Sequence, residues 1–177
     1  MELIESATLL IELATIFLLY VFPLYIANAT PIIVHGKTQL DLGLKIFGKP
    51  ILGKGKTIIG TLAGITAGTL AGAIIALIFP YVLIVIPNYF GLALFLSTGA
   101  ILGDITKSFF KRRFGIKSGQ QWVLADQLDF IVGGLIVSTF FRIPEVWLVL
   151  VLLVATFFIH SASNYVAFKL KLKKVPW

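Results

Sequence analysis

Apolar side chains fill five stretches of this chain, at about residues 7–27, 57–79, 89–103, 126–141 and 146–168, with polar residues gathered between them. A helix needs roughly 20 predominantly apolar residues to cross a bilayer. The pattern therefore predicts an all-α integral membrane protein of five transmembrane helices, forming a single domain over residues 1–177. Glu12 falls near the outer end of the first span, and Pro23 can kink it. In the second span Gly60, Gly64, Gly68 and Gly72 recur every four residues, leaving one face of bare backbone. That face is either a slot for lipid or a groove for another helix, and packing is the simpler expectation. Pro80 and Pro87-Asn88 bracket a short connection whose apolar middle, 81–86, can dip into the interface, and Arg142-Ile-Pro-Glu145 reads as a tight turn. The helix of the third span is expected to run on into the basic stretch that follows it.

Composition supports the membrane reading: 58% of residues are hydrophobic and 13% charged, against about 25% charged in ordinary globular domains. Mean hydropathy is +0.99. The chain starts Met-Glu-Leu-Ile-Glu, without the basic region of a cleavable signal, so the first span is expected to be retained. Absence of cysteine excludes disulfides and thiolate metal sites. A net charge of +7 would raise nucleic acid as a partner, but the placement of the cations explains it better. Lys37, Lys45, Lys49, Lys54 and Lys56 precede the second span. Lys107, Lys111, Arg112, Arg113 and Lys117 follow the third, and Lys169, Lys171, Lys173 and Lys174 follow the fifth. Arg142 alone falls on the other side. The positive-inside rule then puts the N-terminus outside, with two long loops and the C-terminus in the cytoplasm. No nucleic-acid partner is expected, and no oligomeric state is encoded in the pattern.

The chemistry is concentrated in a few places. No charged side chain occurs from Thr57 to Gly103; Asp104 ends that run and the five cations follow. On a helix, Asp104, Ser108 and Lys111/Arg112 share one face. Asp126 and Asp129 stand at i, i+3 where the fourth span begins. N-capping is one reading of this pair, but it needs only one acid. Two carboxylates entering an apolar segment are costly unless a cation neutralises them, which favours a divalent metal. Magnesium, or another hard ion such as manganese, takes oxygen ligands of this kind alongside phosphates and water. Asp104 comes within reach if the third and fourth spans are neighbours.

Gly53-Lys-Gly-Lys-Thr57, running into Gly60, would present exposed amides and Lys54, Lys56 and Thr57 to an anion at a helix start. The bland reading is a lysine pair marking topology. Asn28 and Pro31, taken alone, read more simply as a helix stop than as a functional pair. His35 and His160 lack partners at metal-ligand spacing, and no nucleophilic triad is evident.

In order along the chain, Asn28-x-x-Pro31, Asp41-x-Gly43 to Lys49, Gly53-x-Gly-Lys-Thr-x-x-Gly60, Gly103-Asp-x-x-x-Ser-x-x-Lys-Arg112, Gly115-x-Lys117 and Asp126-Gln-Leu-Asp129 resemble the membrane cytidylyltransferases that make CDP-activated lipids. The archaeal branch, the CDP-archaeol synthases, is the nearest likeness. Bacterial and eukaryotic phosphatidate cytidylyltransferases are similar around Lys-Thr-x-x-Gly and Gly-Asp-x-x-x-Ser-x-x-Lys-Arg, but carry a His-Gly-Gly segment and Asp-Arg-x-Asp. This chain lacks the first and has Gln127 in place of the arginine.

The resemblance implies cytidylyl transfer from CTP to 2,3-bis-O-geranylgeranylglycerol 1-phosphate, an isoprenoid glycerol-phosphate lipid, at the cytoplasmic face of the cell membrane. It implies metal at Asp104, Asp126 and Asp129, with Lys111 catalytic. Lys54, Lys56, Thr57, Ser108, Arg112 and Lys117 are expected at the nucleotide phosphates, and Asn28 at the cytosine. The alternatives are a related enzyme acting on another lipid phosphate and, in a different class, a small membrane transporter.

Overall fold

The computed structural model describes residues 2–34, 36–118 and 120–171. His35, Lys173 and Lys174 lie outside them. Six helices follow in order: α1 (Glu2–Ile33), α2 (Ile58–Ile78), α3 (Val82–Val85), α4 (Tyr89–Arg113), α5 (Ala125–Ser138) and α6 (Val146–Lys169). Between α1 and α2, strands β1 (Lys45–Ile46) and β2 (Lys49–Pro50) form a small antiparallel hairpin. Phe47 and Gly48 turn it, both with positive φ, as a two-residue hairpin turn requires.

Among the described residues four helices are long and apolar enough to cross a membrane: Ile4–Ile33, Ile58–Ile78, Tyr89–Arg113 and Val146–Ser163. The fourth predicted span, 126–141, appears as α5, only 14 residues long. At 1.5 Å per residue that is about 21 Å, short of a hydrocarbon core about 30 Å thick. The all-helical class therefore holds, apart from the hairpin, with four helices of spanning length and two shorter ones, α3 and α5, among the described residues.

α1 outruns its expected end at 27, carrying Pro23 and Pro31 inside the helix. A proline offers no N–H to the carbonyl four residues earlier. For Pro23 that carbonyl belongs to Leu19, and the Tyr89 hydroxyl, fully buried, donates to it at 2.6 Å. In an apolar medium such a replacement bond is what makes the proline tolerable.

The glycine stripe of α2 is a packing groove, as the simpler expectation had it. A Cβ on Gly64 would lie 2.7 Å from the Ala27 carbonyl and 2.6 Å from Ile101, and one on Gly68 would lie 2.7 Å from the Pro23 carbonyl. Thus α2 is seated against α1 and α4. α4 is the central element, packing on α1, α2 and α5. Leu92, Leu96, Phe130 and Ile131 are completely buried in the core between them. The apolar connection 81–86 forms the single turn α3, with Val82 and Ile86 buried.

Candidate active site

Glycines bring α4 and α5 together at the level of Asp104. A Cβ on Gly99 would stand 2.5 Å from the Gly133 carbonyl, and one on Gly133 would stand 2.6 Å from the Gly103 Cα. The two backbones touch directly, placing Asp104, one residue beyond Gly103, beside Asp126 and Asp129 on the first two turns of α5.

These three carboxylates meet around an ammonium group. Lys107 Nζ lies 3.2 Å from Asp104 Oδ1, 3.2 Å from Asp126 Oδ1 and 2.7 Å from Asp129 Oδ2. Lys56 reaches Asp104 from the start of α2 at 2.5 Å. Lys111 donates to both oxygens of Asp126 at 2.9 Å and to the Gln120 carbonyl at 2.6 Å. The Trp122 amide donates to Asp126 Oδ2 at 2.7 Å. Asp126 therefore fastens the 120–126 connection to α4, while Leu124, with φ 66°, holds a strained backbone conformation at the start of α5.

The sequence expectations divide on this geometry. Asp104, Ser108, Lys111 and Arg112 share a face of α4, and the acids of α4 and α5 converge. Lys56 joins them through Asp104. Ser108, buried, donates to the Asp104 carbonyl at 2.8 Å. Thr57 caps α2: its Oγ1 accepts the amides of Gly60 at 3.1 Å and Gly36 at 3.2 Å. Arg112 Nη1 donates to the Ile116 carbonyl at 2.6 Å, while its Nε is buried without a partner. Lys54 and Lys117 are exposed.

Three cavities surround the cluster. A basic one of about 230 Å³ is lined by Lys54, Lys56, Lys107, Ser108, Lys111 and Arg112. A second, of about 500 Å³, holds Lys45, Lys49, Lys54, Arg112 and Lys117, and shares Lys54, Arg112 and Ser118 with the first. An apolar cleft of about 520 Å³ runs between α4 and α5, walled by Leu102, Phe110, Trp122, Leu128 and Val132, and reaches Lys107 and Asp129. Asn28 lies half-buried within α1 and lines none of the three.

A family profile described as "CarS-like: CDP-archaeol synthase" matches residues 8–177. The chain belongs to the CDP-archaeol synthase family. A CDP-archaeol synthase of Methanospirillum hungatei is 40% identical, covering 88% of this chain and 99% of its own. One of Methanocaldococcus jannaschii is 37% identical over 89% and 94%, respectively. A solved structure described as an intramembrane enzyme for archaeal membrane lipids biosynthesis superposes with a TM-score of 0.71 at 38% identity, covering 82% of this chain and 90% of that one. Against this CDP-archaeol synthase frame, Lys107 is the residue that sequence reasoning missed as part of the site. Its i, i+3 relation to Asp104 was visible, but its charge was absorbed into the topology count. Gly103 entered only as the first residue of a motif, and Gly133 and Gly134 went unremarked, since a helix crossing is not a local property.

The metal expectation meets a more specific arrangement. Among the described residues no three acidic or imidazole side chains surround a single point as metal ligands; the aspartates surround an ammonium. Their donor set still suits a hard divalent ion, being all oxygen and anionic. Asp129 Oδ2, on a side chain 5% exposed, lies 2.7 Å from Lys107 Nζ.

The Asp41 carboxylate organises the loop above the site. It accepts amides from Leu52 at 2.8 Å, Gly43 at 3.0 Å and Gly53 at 3.3 Å. Burial pushes its pKa up, but these amides outweigh burial and hold the carboxyl below its usual range. The Arg113 guanidinium donates to the carbonyls of Ile46, Lys49 and Pro50, tying the hairpin to the end of α4.

Proposed function

We propose that this chain joins CTP to 2,3-bis-O-geranylgeranylglycerol 1-phosphate, releasing pyrophosphate and leaving CDP-archaeol (unsaturated) in the membrane. The observation that carries this reading is the contact between two unlike cavities. Lys107 lines both the apolar cleft and the smaller basic cavity, so a lipid phosphate and a nucleotide phosphate can meet at the acid–lysine cluster.

The lipid's phosphate oxygen attacks the α-phosphorus of CTP, and the bond from that phosphorus to the oxygen bridging it to the β-phosphate breaks. A phosphate monoester has its second pKa near about 6, so no side chain need take a proton from the nucleophile. What must be overcome is repulsion between two anions, by positioning and charge. Lys54, Arg112 and Lys117 line the paired basic cavities and can hold the triphosphate across both. Lys56 and Lys111 keep Asp104 and Asp126 in place. Thr57 caps the helix that follows Lys56, and Ser108 bonds to the backbone carbonyl of Asp104. The isoprenoid chains follow the cleft between α4 and α5 out to the bilayer. Asp104, Asp126 and Asp129 are the residues that would hold Mg²⁺ or Mn²⁺, which when bound would neutralise charge on the transferring phosphate.

Cation placement supports a cytoplasmic site: the basic residues after the first and third spans line these cavities, and the positive-inside rule puts them there. The test uses CTP labelled at the α-phosphate and purified protein in detergent, with ether and ester lipid phosphates supplied separately. Label entering the organic phase with the unsaturated ether lipid is expected. No transfer to that acceptor overturns the reading, and preference for the ester lipid moves the chain to the related activity.

A further inference from the structure

Buried carboxylates repel one another unless something neutralises them. Here the chain supplies the neutralising charge itself. Lys107 sits among all three acids, and with Lys56 on Asp104 and Lys111 on Asp126 there are as many ammonium groups as carboxylates. The cluster is neutral without any added ion. Lys111 is anchored further to the Gln120 carbonyl, whereas the described polar contacts of Lys107 are all with carboxylates. Lys107 is therefore the one of these three cations shared among all three acids, and it stands where the two cavities meet.

We propose that Lys107 is a resident counter-ion standing in the place of a divalent cation, and that it makes metal loading depend on nucleotide. This rests on reading Asp104, Asp126 and Asp129 as metal ligands. A divalent ion entering the neutral cluster alone would add uncompensated positive charge beside an ammonium. Like charges that close repel one another strongly in a site partly withdrawn from water. A triphosphate reverses that balance, because its oxygens offer both the arriving ion and the displaced ammonium somewhere to go. Loading is then ordered: metal arrives with nucleotide or after it, not before.

Equilibrium dialysis of Mn²⁺ against detergent-purified protein, with and without an α,β-methylene analogue of CTP, tests this without turnover. Wild type is expected to retain Mn²⁺ weakly alone and at least about tenfold more tightly with the analogue. Lys107→Met should bind Mn²⁺ about tenfold or more tightly than wild type in the absence of nucleotide, while Lys107→Arg, which keeps the charge, should stay weak. Tight binding by wild type without the analogue overturns the inference and leaves the aspartate assignment standing. Equal nucleotide-free affinity in a monodisperse Lys107→Met protein overturns it as well. If that variant does not stay monodisperse, the two wild-type measurements decide alone. No retention by any protein, with or without analogue, overturns both the inference and the metal reading beneath it.

Discussion

The backbone of Gly103 lies so close to the Asp129 carbonyl that no Cβ fits between them. This contact sets the distance between the acids of α4 and α5, and it depends on a missing side chain rather than on any polar bond. Gly103→Ala is accordingly expected to push the helices apart and cost about 1–3 kcal/mol, as overpacking does. Activity should fall far more than the thermal midpoint, because a shift of about 1 Å at the reacting groups can cost about a hundredfold in rate. Parallel turnover and melting measurements check it; a loss of stability with turnover intact would count against the crossing as a positioning device.

Lys111 was expected to be catalytic, and the structure pairs it with Asp126 and the Gln120 carbonyl. Lys111→Ala should therefore loosen the 120–126 connection, raising amide hydrogen exchange at Trp122, whose N–H is held by Asp126. Removing one partner leaves Asp126 partly buried without its main cation, a loss of about 1–3 kcal/mol. If only the KM for CTP changes and Trp122 stays protected, Lys111 is a phosphate contact after all.

Tyr89→Phe isolates the proline compensation in α1. The Leu19 carbonyl would be left without the hydroxyl that replaces the missing Pro23 amide, and a buried unsatisfied acceptor costs about 1–3 kcal/mol. The melting temperature in detergent should drop while the KM for CTP stays unchanged, since Tyr89 is at the far end of α4 from the acids.

Much of this molecule could be read from the chain because its cues are local. The glycine stripe of α2, the long run without charge and the facing of Asp104 with Ser108 and Lys111 each follow from helical spacing. What could not be read involves partners far apart in sequence. Thr57 looked like a phosphate ligand, yet its hydroxyl takes the Gly36 and Gly60 amides. Arg113 looked like a topology signal, yet it gathers three carbonyls of the hairpin. α5 was taken as a full span because apolar residues continue to Phe141, but the helix ends at Ser138 and the chain turns. Hydropathy counts apolar residues and is blind to where the backbone bends.

The Asp41 loop should respond to acid. Its carboxyl is held below the usual range in the folded protein, so its contribution is full above the unfolded pKa of about 3.9 and disappears as pH falls through the lower folded value. The melting-temperature difference between wild type and Asp41→Ala should be constant above about pH 5 and shrink below about pH 4. A difference that does not vary with pH across that range would mean the carboxylate's charge contributes nothing.

Asp129→Asn gives the most direct test that the acid–lysine cluster is the reaction centre. Transfer of label from α-labelled CTP into chloroform-extractable lipid is measured for this variant and wild type, both monodisperse in detergent. A rate lower by about a hundredfold or more is predicted, in line with losing a charged group from a preorganised site. Wild-type transfer by Asp129→Asn would contradict the account and place the chemistry elsewhere in the chain.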